Sequence, residues 1–130
     1  MEEELKLLQL AEEMNVTVED DHLRWLRDGD LGGWFPGAQV ILLRPGLGWR
    51  NRLHTLAHEL GHAHHDHPAG HESRFERQAD DFAANLLIDQ HAYAEAEKMF
   101  GAHLGAIAAE LGVTISLLIR WRAQHERKTA

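Results

Sequence analysis

The chain has 130 residues, 44% of them apolar and 26% charged, with no cysteine and a formal net charge of −8. That length and apolar fraction suit one domain over residues 1–130 with a modest core, and argue against wholesale disorder. The lack of cysteine excludes a disulfide scaffold, a thiol nucleophile and any cysteine-ligated metal, so a bound metal must rely on the eleven histidines and the carboxylates.

Behind the acidic start Glu2–Glu4, residues Leu7, Leu10, Ala11 and Met14 recur at helical spacing, which predicts a first amphipathic helix over 2–14. Val16 to Val18 suit a short edge strand, and the HLRWLRDGD segment after it carries no clear period. Trp34–Phe35, a Pro36–Gly37 turn and the QVILL run predict a β-hairpin, the basis of a small antiparallel sheet. From Asn51 the pattern turns helical, with Leu53, Leu56, Ala57 and Leu60 on one face, until a histidine-rich stretch breaks at Pro68–Gly70. Ser73 opens a helix striped by Phe75, Ala79, Phe82 and Leu86, and Asp89 is placed to cap another that Gly101 ends. Residues 103–111 and 115–125 form a helical pair about Gly112–Val113–Thr114. The fold class is therefore α+β, mostly helical.

Charge is uneven. Residues 1–30 hold ten acidic and three basic side chains, whereas 115–130 hold one acidic residue and the basic Arg120, Arg122, Arg127 and Lys128. The terminal pair has the spacing of a helix-turn-helix, but its Leu117, Leu118, Ile119 and Trp121 and the acidic body favour packing or partner docking over direct DNA binding. The acidic N-terminus is unlike a signal peptide, and no apolar run reaches the ~18 residues of a membrane span, so a cytoplasmic protein without membrane attachment is expected.

Residues 58–62 read HELGH. On a helix His58 and His62 lie one turn apart with Cβ atoms about 6 Å from each other, close enough to share one Zn²⁺. Glu59 projects about 100° away from His58, the position of a general base rather than a ligand. Chance supplies roughly 0.09 such matches in a chain this rich in His and Glu, so the flanks must decide, and they place the motif within a helical apolar stripe.

A catalytic zinc needs a third protein ligand. The HExxHxxGxxH arrangement fails, because its glycine and histidine positions hold His65 and Pro68. A carboxylate from the next helix fits better: Glu76 and Asp80 share one face at i,i+4, Glu76 as ligand and Asp80 behind a ligand histidine such as His58. The competing reading of Glu76 is a capping box with Ser73, and of Asp80 a solvated charge. The run His64, His65, His67 and His71 reads as a polar loop beside a cleft rather than a second metal site.

HTLAHELGHAHH followed by ERQADDFAANLLI resembles the ImmA/IrrE family of small zinc metallo-endopeptidases, in particular the compact versions of phages and mobile elements, over nearly the whole chain. The resemblance implies a zincin-like domain with one Zn²⁺ held by His58, His62 and Glu76, Glu59 activating water, and Asp80 at the family's Asn/Asp position. It implies limited proteolysis of a helix-turn-helix repressor. One departure is Leu86–Leu87–Ile88–Asp89, where the family often has Leu-Leu-Met-Pro. For the oxyanion donor, Tyr93 and His71 lead, with His54, His67 and His91 behind them. A monomer is expected, with the substrate adding to an edge strand near Val40 to Leu43. The rival functions are a non-catalytic anti-repressor using the same cleft and a hydrolase of small amides.

Overall fold

The computed structural model describes residues 2–129, and the side chains of residues 2–126. The side chains of Arg127 and Lys128 lie outside the described residues. The elements in chain order are α1 (Glu2–Glu13), β1 (Thr17–Asp20), β2 (Gly32–Phe35), β3 (Val40–Leu43), α2 (Trp49–His64), α3 (Ser73–Leu87), α4 (Gln90–Phe100), α5 (Leu104–Leu111) and α6 (Ile115–Thr129). The α+β class holds, with one correction to the sheet. It is mixed, in the order β1-β3-β2, with β2 and β3 antiparallel and β1 and β3 parallel, Thr17 opposite Val40 and Asp20 opposite Leu43.

That order places β1 at an edge, as expected near Val16 to Val18, and overturns the expectation of a substrate-binding edge near Val40 to Leu43. β3 is central and bonded on both sides, so Val40 to Leu43 offer no free backbone to a substrate. Its burial shows the same: Ile41, Leu42 and Leu43 are all buried, as a strand covered on both faces requires. The free edge next to the hairpin is β2.

α2 is sandwiched between the sheet and α3, and α3 packs in turn on α6. Leu53, Leu56, Ala57 and Leu60 of α2 join Ile41 and Leu43 of β3, Trp34 of β2, and Leu117, Leu118 and Trp121 of α6 in one buried cluster. Because both sides of α2 are covered, three of its polar residues, Thr55, Glu59 and His62, are buried too. Two close approaches make this possible. A Cβ on Gly61 would lie 2.8 Å from Ala79 Cα and 2.9 Å from Ala79 O of α3, and one on Gly32 of β2 would lie 2.5 Å from Thr55 Cγ2 of α2. Arg52 pins the assembly from outside, donating to Glu4 of α1 at 2.7 Å and to Asp20 of β1 at 2.8 Å.

The helix ends follow local chemistry. The Asp89 carboxylate accepts from Ala92 N at 2.9 Å and starts α4, and Gly101 ends it. The Ile88–Asp89 departure thus supplies a buried C-cap for α3 and an N-cap for α4. The unassigned HLRWLRDGD segment is a loop over β2. Asp21 accepts from Trp25 N and Leu26 N at 2.8 and 2.9 Å, and Arg44 donates to the carbonyls of Asp30 and Arg27 at 2.6 and 2.9 Å.

Among the described residues no single helix is long and apolar enough to cross a membrane. The bent pair α5 and α6 passes only jointly, across a 101° bend, and it buries Ile107, Ala108, Leu117 and Leu118 in the core.

Candidate metal centre

α2 presents His58 and His62 to α3, and α3 returns Glu76 and Asp80. His58 Nε2 lies 2.9 Å from Glu76 Oε2, His62 Nε2 lies 3.0 Å from Glu76 Oε1, and the two Nε2 atoms are 3.2 Å apart. Two imidazoles and a carboxylate are a fitting set for a divalent ion such as zinc, and bonds of 2.0–2.1 Å in a tetrahedron set ligand atoms about 3.3 Å apart, close to these separations. Among the described residues this is the one group of three or more such side chains close enough to hold a metal. No second cluster arises from His64, His65, His67 and His71.

The capping box does not form. Ser73 is the first helical residue, Glu72 occupies the cap position without a side-chain bond, and the Glu76 carboxylate faces the histidines instead. Asp80 is no free surface charge, since its Oδ1 accepts from His58 Nδ1 at 2.7 Å and its Oδ2 lies 3.6 Å from Arg120 Nη2. Arg120, one of the basic residues of α6, also lies 3.3 Å from Asp81 and so faces the site's flank.

The electrostatics are those of a crowded cluster. Burial alone would push His58 down, but the hydrogen bond it donates to Asp80 and the charges of Glu59, Asp80 and Glu76 overcome it and lift it to about 9. Burial and the neighbouring His58 push His62 down to about 4, against the pull of Glu76. Burial raises Glu59 to about 7, with Glu76, Asp30 and Asp80 adding to the rise and His58 opposing it. Asp80 is lowered: burial opposes the shift, and the bond from His58 with the charges of His58 and Arg120 wins.

Glu59, His62 and Glu76 open into a cleft walled by β2 on one side and by the 25–30 loop and the 68–71 turn on the others. Trp25, Leu26, Trp34, Phe35 and Pro68 give it an apolar lining, and Glu59, His62, Glu76 and His71 its polar floor and rim. His71 stands half-exposed there, 3.5 Å from Glu76 Oε1 and 3.6 Å from Asp30 Oδ2.

Tyr93 is not in the cleft, which removes it as an oxyanion donor. Its ring tilts against Trp121 of α6 and its hydroxyl donates to Glu97 at 2.9 Å, both directed by its place on α4. His54 is bonded to Thr114 at 2.9 Å, and His91 is exposed on α4. His67 is the residue that sequence reasoning undervalued. It is 3% exposed, with Nδ1 2.9 Å from His62 Nδ1. Nothing in an HHDH run distinguishes the histidine that folds inward, although its neighbours Pro68 to Gly70 mark the turn.

The sequence model of the IrrE N-terminal-like domain, a peptidase family, matches residues 11–120, from the end of α1 into α6. No curated protein matches the chain.

Proposed function

Since the chain belongs to the IrrE N-terminal-like family of peptidases, we propose that it is a zinc-dependent endopeptidase making a limited, site-specific cut in a partner protein, a helix-turn-helix repressor of a phage or mobile element. The observation that carries the chemistry is the close grouping of His58, His62 and Glu76, two of which, His62 and Glu76, line one cleft together with the buried Glu59. The repressor as substrate follows from the resemblance of the two motifs to their family.

His58, His62 and Glu76 would hold the ion, which when bound polarises a scissile carbonyl and makes water a better nucleophile near neutral pH. Glu59 accepts the proton of the attacking water. Burial has raised it to about 7, where a carboxyl both takes a proton and gives it up again to the departing amine. Asp80 holds the His58 ring through Nδ1, leaving Nε2 turned to the donor set. β2, the free edge beside Glu59, receives an extended stretch of substrate as an added strand, and the apolar lining takes its side chains. His71, at the rim, is the donor assigned to the oxyanion.

The test is Glu59→Gln, an isosteric change that removes the base and touches no donor of the metal set. Zinc content should stay at about one per chain while cleavage of the repressor falls about 10²–10⁴-fold. Relief of repression by this variant at the native level would instead establish a binding protein that sequesters the repressor.

A further inference from the structure

Behind the donor set runs a buried chain of polar atoms that the chemistry above does not use. After the end of α2, Asp66 turns the backbone at φ 54° and His67 N donates back to His62 O at 3.0 Å. The His67 ring then lies against His62 with its Nδ1 2.9 Å from His62 Nδ1, and its Nε2 is 2.6 Å from Gln78 Oε1 of α3. Phe75 stacks on the ring at 4.4 Å, and Trp34 Nε1 donates to the His67 carbonyl at 3.0 Å. The ring is therefore anchored by α2, α3 and β2 together.

Counting protons decides the direction of this chain. The Gln78 oxygen can only accept, so His67 carries its hydrogen on Nε2. A neutral imidazole then has a bare Nδ1, and a bare nitrogen 2.9 Å from His62 Nδ1 needs a hydrogen on the latter. With its hydrogen on Nδ1, His62 has a free lone pair on Nε2, the atom that faces Glu76 and His58.

We propose that His67, oriented by Gln78, is a positioning residue that fixes the tautomer and ring plane of His62 and so presents Nε2 for metal binding. This rests on the reading of His62 as a ligand. It also makes the two histidines unequal: His58 is held by a carboxylate and His62 by a second imidazole.

The test combines zinc affinity, by competition with a chromophoric chelator, with ring ¹⁵N NMR of the zinc-loaded native protein. His67→Phe keeps the ring stack and loses both nitrogens, and should weaken zinc binding about 10–100-fold. His67→Asn restores an acceptor oxygen near the Nδ1 position and should recover affinity to within about threefold of native. The NMR spectrum should show His67 protonated on Nε2 and bare at Nδ1, a result that needs no variant to fold. A hydrogen on His67 Nδ1, or native affinity in His67→Phe, would overturn the proposal while leaving the metal site standing. Native protein that binds no zinc would instead remove the metal site itself, and the role of His67 with it.

Discussion

Gly61→Ala is the most direct probe of how the donor set is held. The added methyl would sit 2.8 Å from Ala79 Cα, 2.9 Å from Ala79 O and 3.2 Å from Phe82 Cβ. Two of these are backbone atoms of α3, so no rotamer change relieves the clash, and α3 must retreat by roughly half an ångström to reach ordinary van der Waals contact. Overpacking of this kind costs about 1–3 kcal/mol, and the better helix propensity of alanine returns about 0.8–1.0 kcal/mol, leaving a net loss of at most about 2 kcal/mol in urea denaturation of the metal-free protein. The effect on metal should be larger in kind. Ala79 sits between Glu76 and Asp80 on α3, so the retreat carries both carboxylates away from the histidines of α2, by more than the ~0.2 Å tolerance of metal–ligand distances. Zinc affinity should fall at least about tenfold in a protein that is still folded. Ala79→Gly in the same background should not rescue it, because the clash is with backbone. Unchanged zinc affinity in Gly61→Ala would refute the claim that this contact sets the spacing of the donors.

His58, raised to about 9 in the metal-free fold, is protonated near neutral pH and must lose that proton to become a ligand. Calorimetry in buffers of different ionisation enthalpy should therefore register release of about one proton per zinc, and affinity should climb about tenfold per pH unit up to that value; heats that do not depend on the buffer would contradict it. The same raised value means that His58 stabilises the metal-free fold fully below its ordinary value of 6.5, and that this contribution is lost as pH rises through about 9. Arg44→Ala frees the carbonyls of Asp30 and Arg27, and should speed amide hydrogen exchange across residues 24–31 at a stability cost of about 1–3 kcal/mol without loss of zinc; protection equal to native would show that the loop is held by other means. Replacing His64 and His65 together by alanine should leave one tight zinc by elemental analysis, since both are exposed and neither belongs to the donor set, and a metal-free product would relocate the site.

What could be read in advance was local. Asp89 and Gly101 delimit α4 because capping acts within a few residues, and the i,i+4 pairs His58–His62 and Glu76–Asp80 meet because a helix brings each pair to one face. What could not be read was mainly non-local. The short edge strand expected from Val16 to Val18 is β1, but its parallel pairing with β3 joins residues more than twenty apart, so the hairpin alone suggested a sheet edge where there is none. Tyr93 stood out only as the sole tyrosine, a fact of composition that says nothing about the direction α4 gives it. The capping-box motif at Ser73 and Glu76 was present in letters and absent in space, because the glutamate gains more from the histidines across the interface than from the amide behind it.

The shortness of β2 bears on which bonds a protease of this design could reach. If β2 receives the substrate as proposed, its four residues grip only a segment already extended over that length, and the hydrogen bonds they offer cannot by themselves unravel a partner's helix. The susceptible bond would then be chosen by the partner's own local unfolding free energy, in a linker or a segment that frays, rather than by side-chain pockets alone. In that arrangement a signal that loosened the substrate would switch cleavage on with no change in the enzyme.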